Sequence, residues 1–450
     1  MTSNSFYIQT QTYRFNKNNL GVYSNYYLNV IYNMNSLPNS VNYAEPIPSL
    51  PDSTIKYSVA LQPVNGQTFS LGGNQIIFQF PNRGYLQPDS IYLRYKVVTA
   101  NATTASNVLG CPFSAPFQRV ETQFGSVTVD SINDWNQVNH ILTNITMDIA
   151  QKYGMQSGYG YGTPNTSIEE LDSRIIPAAG ETLYLAGPVP CMLTNITDKL
   201  LPLFAMPTIS MVFTTDSLAN IINPTGTVTG MTFSNVELCF DFCEFGPEVD
   251  AMVRGMGQRI YVKSQSFANA SVNIPLGANG SQAIIFNQRY ASCKAAIVSF
   301  SGAVNNKKFD AVDQTNNSGD YSLNISGVQY PQKPYSALNN KGGILQELRK
   351  CIGSIYDKTN SMSVNTVEFN RLDSDVNNVY TAPGKFYLGF NLEKLHSGSL
   401  LTGISTNNSN ITVNINQSVA STVVRQCNLL LVYDALIEID LLNRQSSVKV

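Results

Sequence analysis

The second half of this 450-residue chain repeats the first half in its order of predicted elements. In each half, short strands with alternating apolar residues lead to an amphipathic helix, and further strands follow it. The first half predicts strands at Asn74–Phe80, Ser90–Val98 and Phe117–Val129, a helix at Asn133–Tyr153, and strands at Thr208–Thr214 and Met231–Phe245. The second predicts strands at Arg259–Ser266, Ala283–Phe286, Lys294–Phe300 and Tyr321–Tyr330, a helix at Gly343–Tyr356, and strands at Lys385–Leu392, Asn410–Asn416 and Asn428–Leu442. Two tandem sandwiches of mainly β structure are therefore expected.

The strands are identified by a period of two residues. Ile76, Phe78 and Phe80 alternate with polar residues, so they would line one face of a strand. The same alternation continues in three further segments, at Ile91–Val97, Val236–Phe242 and Ala435–Leu441. Such a pattern is typical of antiparallel strands that are buried on one face only.

Two segments instead show helical spacing. The apolar positions are Trp135, Val138, Ile141, Leu142, Ile145 and Ile149 in the first half, and Ile344, Leu345, Leu348, Ile352 and Ile355 in the second. Each set forms a single apolar stripe, which should lie across a sandwich. Each helix also follows a similar turn, Phe124–Val127 in one half and Ile325–Val328 in the other.

These observations divide the chain into four parts. Residues 1–54 are rich in Tyr, Asn and Pro without a clean period, which predicts an extended arm that becomes ordered against another surface. Residues 55–245 and 258–450 would form the two sandwiches. The segment 246–257 between them predicts a short linker helix, because Pro247 suits the first helical position and Gly255 and Gly257 suit the end.

Composition points to a surface that packs against other proteins. Charged residues make up only 13% of the chain, against about 25% in an ordinary soluble domain. Uncharged polar groups cost less to desolvate, and copies of such a chain repel one another weakly. The net charge of −2 does not favour binding to nucleic acid, and no sequence-specific nucleic-acid binding is expected.

The seven cysteines are odd in number and irregular in spacing. Cys239 and Cys243 would share a face of one strand, about 13 Å apart, which is too far for a disulfide. Free thiols made in a reducing cell interior are the expectation. The sequence also shows no signal peptide and no run of apolar residues long enough to span a membrane.

No motif predicts catalysis, a cofactor or a metal site. The two histidines, His140 and His396, are far from any metal-ligand spacing, and a surface or capping role is expected for each. The glycine-rich Gly158–Gly162 lacks the spacing of a phosphate loop and predicts a mobile, sticky loop tip. Asp373–Gly384 departs from a calcium loop at its sixth and twelfth positions. The acids Glu169, Glu170 and Asp172 leave a glycosidase open only as a minor alternative.

Three segments carry a resemblance to a known family. They are Gln67–Val97 (QTFSLGGNQIIFQFPNRGYLQPDSIYLRYKV), Ala115–Leu142 (APFQRVETQFGSVTVDSINDWNQVNHIL) and the terminal strand Asn428–Asp440. Together with the order of elements over residues 55–445, they resemble the double jelly-roll major capsid proteins of tailless icosahedral double-stranded DNA viruses. The likeness is greatest to those of polinton-like viruses and virophages.

The resemblance implies two eight-stranded jelly rolls in each chain and homotrimeric capsomers of pseudo-hexagonal outline. Those capsomers would tile a virion shell around a double-stranded DNA genome, beside penton and minor capsid proteins. It implies no catalytic, cofactor-binding or metal-binding residue. The alternative that the sequence leaves open is a glycan- or receptor-binding β-sandwich protein, such as a fibre or adhesin.

Overall fold

The structure is a computed structural model that describes residues 53–100, 106–161, 173–176, 182–196, 199–222, 228–302, 308–353, 362–372, 384–395, 401–421 and 424–450. Nearly all of the predicted arm, residues 1–54, lies outside these ranges. The remainder is built mainly from antiparallel strands, as the sequence predicts.

Twelve strands are described before residue 245. They are β1 (Ile55–Leu61), β2 (Thr68–Ser70), β3 (Gln75–Gln79), β4 (Tyr85–Ala100), β5 (Ser106–Leu109), β6 (Phe117–Phe124), β7 (Val127–Asn133), β8 (Ser173–Ile176), β9 (Thr182–Pro188), β10 (Leu201–Pro202), β11 (Ile209–Thr215) and β12 (Gly230–Glu244).

Nine more strands follow in the described part of the second half. They are β13 (Arg259–Ile274), β14 (Gly280–Phe286), β15 (Cys293–Gly302), β16 (Asp320–Ile325), β17 (Val328–Ser336), β18 (Tyr387–Asn391), β19 (Ile411–Gln417), β20 (Arg425–Asp440) and β21 (Gln445–Lys449).

The helices are short. Those in the described residues are α1 (Trp135–Thr146), α2 (Ile149–Gly154), α3 (Gln156–Tyr159), α4 (Leu218–Ile221), α5 (Pro247–Gly255), α6 (Lys341–Lys350) and α7 (Thr366–Phe369), with a 3-10 turn at Leu203–Ala205. The predicted linker helix is present as α5, which begins with Pro247 at its N-terminus and ends at Gly255.

The strands form two pairs of sheets with matching order. The first large sheet runs β1-β12-β4-β10, with β2 paired to β12 and β9 to β4, and the first small sheet runs β3-β11-β6-β7. The second large sheet runs β13-β20-β15-β18, with β21 paired to β20, and the second small sheet runs β14-β19-β16-β17. Strands β5 and β8 form a separate pair. The same positions are therefore filled in the same order in both halves, so β7 corresponds to β17, β1 to β13 and β12 to β20.

Each large sheet packs against the small sheet of its own half through aromatic side chains. In the first half, Phe80 lies 5.0 Å from Phe240, measured between ring centroids. In the second half, Phe300 of β15 stacks on Tyr321 of β16 at 5.3 Å. Because the core face of every strand alternates with an outer face, this is the jelly-roll sandwich found in viral coat and lectin domains, present twice in tandem. Among the described strands, none before α5 shares a sheet with one after it, although the exact domain limits stay a prediction.

Two predicted strands prove to be hairpins. The sequence predicts single strands at Phe117–Val129 and Tyr321–Tyr330, whereas the structure has β6–β7 and β16–β17, which pair antiparallel. The turns are the two similar segments already noted, with Phe124 opposite Val127 and Ile325 opposite Val328. Gly125 and Gly327 have positive φ at these turns, which glycine adopts without strain.

The predicted helix at Asn133–Tyr153 is also divided. Helix α1 ends at Thr146, and Asp148 then caps α2 by accepting a hydrogen bond from the Gln151 backbone N–H. Moreover, α1 does not show the single buried stripe that its spacing predicts. Its polar residues Asn136, Gln137, Asn139, His140, Thr143 and Asn144 are buried as well, because the helix lies between the two sandwiches.

Candidate assembly surfaces

A buried carboxylate connects the two sandwiches. Asp130 of β7 accepts hydrogen bonds from the hydroxyl of Ser266 in β13 at 2.8 Å and from that of Tyr433 in β20 at 3.3 Å. The backbone N–H of Met192 also donates to it at 2.9 Å. Burial raises the pKa of Asp130 above its ordinary value, while these donors partly offset the rise. The first sandwich is thus held to the second by side chains that are far apart in sequence.

The edge of β13 is covered at the same place. Ser264 donates a hydrogen bond from its hydroxyl to the Met192 carbonyl, and Asn195 donates from its amide to the Gln265 carbonyl at 2.9 Å. An edge strand otherwise presents unpaired backbone groups to solvent. Here the Asn195 side chain of the first sandwich gives one backbone carbonyl of that edge, that of Gln265, a hydrogen-bond donor.

Helix α1 contacts the second sandwich along its length. Gln137 donates from its amide to the Lys308 carbonyl at 3.0 Å, and Asn144 donates to the hydroxyl of Tyr387 in β18 at 3.2 Å. At the other side of the helix, the indole of Trp135 donates to the Pro190 carbonyl at 3.1 Å. Buried polar groups need partners of this kind, so α1 is specified by both sandwiches together.

An ion-pair cluster completes the junction. The Lys308 ammonium lies 2.7 Å from Oδ1 of Asp134 and 3.1 Å from Oδ2 of Asp216. Asp216 is buried and also accepts a hydrogen bond from the amide of Asn136 at 2.8 Å. A lysine of the second half therefore neutralises two acids of the first.

The junction covers the outer face of the second large sheet. The buried side chains of this face include Phe267, Asn269, Ile297, Ser299, Ser301, Leu430 and Val432. A cleft of about 590 Å³ remains between this face, the end of α1 and the end of α6. Its lining includes the ion pair of Lys294 with Glu393 at 3.4 Å and the Cys351 thiol, whose pKa is raised by burial so that it stays protonated.

The equivalent face of the first large sheet is open. We name it the open sheet face and define it by Lys56, Ser58, Tyr92, Arg94, Tyr184, Glu237 and Asp241. Tyr92 is 39% exposed and Tyr184 68% exposed. Two ion pairs lie across it, Lys56 with Asp241 and Arg94 with Glu237, each at 2.7 Å. Its charges are therefore largely neutralised in place, and its aromatic side chains face solvent.

A second exposed surface lies at the far edge of the second sandwich. We name it the β17–α6 edge and define it by Val328, Lys333, Pro334, Leu338 and Gln346, all of them exposed. Leu338 is 65% exposed. A groove of about 500 Å³ lies between β17 and α6 at this edge, lined by side chains that include Lys333 and Tyr335.

Two expectations for individual residues are wrong. His140 is not at the surface: it is buried in α1, with its Nε2 atom 3.1 Å from the amide of Asn144. The glycine-rich segment is not a mobile loop tip in its described part, because Tyr159 and Tyr161 are buried in the core. The close approach of Gly158 to the Ala186 carbonyl leaves no room for a side chain there.

Other predicted positions lie outside the described residues. They are His396, the acids Glu169, Glu170 and Asp172, and most of Asp373–Gly384. In the part of the chain that is described, no group of three His, Cys, Asp or Glu side chains is placed to hold a metal ion. No described helix has both the length and the apolar character to cross a membrane. All seven cysteines, including Cys239 and Cys243, carry free thiols.

The sequence did not reveal the junction residues. Asp130 shares a strand face with the buried Ile132, and Ser264 and Ser266 share one with the buried Val262. A polar side chain on the apolar face of a strand is the only local signal of such a contact. Its partner could not be read from the sequence, because Asp130 and Ser266 are 136 positions apart.

Comparison with known proteins finds similarity in structure alone. No protein-family model matches the chain, and no curated protein matches it in sequence. The Faustovirus major capsid protein superposes with a TM-score of 0.59 at 10% identity, covering 89% of this chain and 92% of that one. The cryo-EM structure of the Sputnik virophage gives a TM-score of 0.55 at 13% identity, over 94% and 93% of the two chains. The mavirus major capsid protein gives 0.52 at 11% identity, over 96% and 97%. The chain has the double jelly-roll fold that these structures share.

Proposed function

We propose that this chain is a major capsid protein. In this role it self-assembles as homotrimeric capsomers of pseudo-hexagonal outline, which tile an icosahedral shell around a double-stranded DNA genome. The observation that carries the proposal is the fold, two tandem sandwiches of matching strand order, which superposes on the structures of viral major capsid proteins.

The two sandwiches support a near-sixfold assembly. They are similar but unequal, since the first has a split strand β1–β2 where the second has the continuous β13. Three copies would place six sandwiches around one axis, and closed point symmetry is the usual state of homo-oligomers. The low proportion of charged residues reduces repulsion between copies, and many weak contacts can sum to a stable particle.

The partners follow from the same role. The chain would bind itself within the capsomer, neighbouring capsomers in the shell, and penton and minor capsid proteins where the lattice changes. With a net charge of −2, it would retain the genome by enclosure instead of by direct binding. Its place would be the virion, after synthesis in the reducing interior of the host cell, and its role is structural and not enzymatic.

Native mass spectrometry of the purified chain, followed by negative-stain microscopy, tests this proposal. We expect a trimer at micromolar concentration and shells or shell fragments on concentration. A monomer or dimer that forms no particles and binds immobilised glycans would instead support the adhesin alternative.

A further inference from the structure

The cleft of about 590 Å³ at the junction is built by both sandwiches. Its floor is the outer face of the second large sheet, where Phe267, Ile297 and Val432 are buried. One wall is the last turn of α1, with Leu142 and the buried Ile145. A ligand bound in this cleft would therefore contact the two sandwiches at once.

The second wall of the cleft follows the end of α6. Ile352 is partly buried there, and the neighbouring Cys351 donates from its thiol to the Glu347 carbonyl at 3.5 Å. Burial raises the pKa of the Cys351 thiol, so the group stays neutral and behaves as a small apolar side chain. The floor and both walls are thus mainly apolar, with Gln265 as the polar side chain contributed by β13.

The mouth of the cleft is cationic. Lys350 and Lys394 are exposed there, and Lys294 is partly buried beside them. Glu393 is the one acid among the described lining residues, and it is already engaged by Lys294 at 3.4 Å. Lys350 pairs with Glu347 on the surface of α6 at 2.6 Å, whereas the Lys394 ammonium contacts no acid in the described part of the chain. Positive charge is therefore in excess where the apolar cleft opens to solvent.

We propose that this cleft binds a fatty acid, with its alkyl tail along the apolar floor and its carboxylate at the lysines of the mouth. The volume lies in the range of about 300 to 1,000 Å³ that is usual for small-molecule sites, which are mostly apolar with a few convergent polar groups. A carboxylate accepts strong, charge-assisted hydrogen bonds from ammonium groups. The excess of lysine over glutamate selects this anionic head group against a neutral or cationic one.

The inference goes beyond the proposed function, because it assigns a ligand to the junction whatever the chain assembles into. A ligand that binds the folded state and not the unfolded chain stabilises the folded state by mass action. Since floor and walls come from different sandwiches, the bound fatty acid would hold the two sandwiches together.

Isothermal titration calorimetry of the full chain with octanoate, decanoate and dodecanoate tests the tail and the head group. We expect saturable one-to-one binding, with an affinity that rises roughly tenfold for each two added methylenes because more apolar surface is buried. Dodecyltrimethylammonium has the same tail and the opposite charge, and it should bind about tenfold more weakly or not at all, since it cannot accept hydrogen bonds from the lysines. Dodecanoate should also raise the melting temperature of the chain.

Two variants separate the mouth from the apolar interior. Lys350→Glu with Lys394→Glu reverses the charge of two exposed side chains and should weaken dodecanoate binding by about tenfold or more. Lys333→Glu is the matched control, because Lys333 is an exposed lysine of β17 outside the cleft, and it should bind dodecanoate as wild type does. Thr146→Trp places an indole at the mouth from the exposed end of α1. It should weaken the binding of dodecanoate more than that of octanoate, and circular dichroism checks that each variant is folded.

Several outcomes would overturn the inference. Binding that does not saturate, that is equal for the anionic and cationic amphiphiles, or that is unchanged in both cleft variants would show adsorption elsewhere on the surface. Sedimentation with vesicles of phosphatidylcholine and phosphatidylglycerol, without binding of free dodecanoate, would show a membrane-binding surface instead of a fatty-acid site. Each of these results would leave the capsid proposal standing, since that proposal is judged by trimers and particles of the ligand-free chain.

Discussion

At the scale of single residues, the junction depends on polar groups that are buried together. Asp130 has its own donors, and Lys308 neutralises two acids, so none of these side chains is left without a partner. Removing one member of such a set costs more than the contact itself contributes, since the partner stays desolvated. Two predictions follow from the chemistry of these residues.

Asp130 should make the stability of the protein depend on pH. Burial raises the pKa of its carboxyl in the folded state, above the unfolded value of about 3.9. The folded state therefore binds the proton more tightly, and stability falls as pH rises from the unfolded pKa through the folded one. In thermal melting from pH 3.5 to pH 8, wild type should lose stability as the pH rises through this window. The melting temperature of Asp130→Asn should therefore increase relative to that of wild type as the pH rises.

Asp241→Asn is the matched control for Asp130→Asn. The hydrogen bond from Lys56 and a second one from Ser58 lower the pKa of Asp241. Asp241 therefore stabilises the folded state above its unfolded pKa, and this stabilisation is lost as the pH falls through its folded pKa. Its effect on the pH dependence of stability is opposite in sign to that of Asp130. A difference between wild type and Asp130→Asn that does not change with pH would contradict the assignment.

Lys308→Met should destabilise the junction strongly. The substitution keeps the aliphatic stem but leaves Asp216 buried beside Asp134 without the cation that lies 3.1 Å away. Breaking a buried pair on one side costs about 3 to 5 kcal/mol. Chemical denaturation measures the change, and Lys350→Met serves as control, because its pair with Glu347 is solvent-exposed and worth about 0.5 kcal/mol or less. Equal changes in the free energy of unfolding for the two substitutions would contradict a stabilising role of Lys308 at the junction.

At the scale of elements, the alternation of apolar residues was a reliable guide wherever a strand buries one face. Ile76 and Phe78 are fully buried in β3, and Ile437 and Ile439 in β20, as the period predicts. The hairpins β6–β7 and β16–β17 were predicted as single strands although the phase of the alternation changes at each two-residue turn, because the paired residues that flank it, such as Phe124 and Val127, are an odd number of positions apart. Strand β9 carries the pattern in Leu183 and Leu185, yet it was not predicted.

Helix α1 marks the limit of what could be predicted. Its apolar stripe is present, but the burial of its polar side is decided by a second sandwich whose position no local pattern encodes. The open sheet face is likewise invisible in the sequence, since exposed tyrosines such as Tyr184 alternate with buried residues in the same way on any half-buried strand.

Close packing between α6 and β18 gives a prediction for one element pair. A side chain at Gly389 would place its Cβ 2.5 Å from the Cα of Leu348. Because that atom belongs to the backbone of α6, the whole helix would have to shift to make room. Gly389→Ala should therefore destabilise the protein by about 1 to 3 kcal/mol. Gly342→Ala within α6 meets nothing within 4 Å and should be neutral or stabilising by up to about 1 kcal/mol. Thermal denaturation of the two variants side by side measures this, and a tolerated Gly389→Ala would mean that α6 packs more loosely.

At the scale of the whole molecule, the fold and the charge balance favour assembly through protein contacts. In the capsid role that we propose, association would depend on protein surfaces such as the open sheet face, whose charges are paired within the chain. With 28 basic and 30 acidic side chains in 450 residues, long-range repulsion between copies is small, and salt screens what remains.

Assembly should therefore require neither nucleic acid nor a particular ionic strength. We expect purified chain to give the same yield of particles at 50 mM and 500 mM NaCl, with and without added double-stranded DNA, as measured by light scattering and negative-stain microscopy. A coat that assembles on its genome through Lys and Arg contacts would lose affinity by orders of magnitude over a similar range of salt. Particles that form only with DNA, or DNA that stays bound to trimers at low salt and is released at high salt, would show that the chain contacts the genome directly and would contradict retention by enclosure.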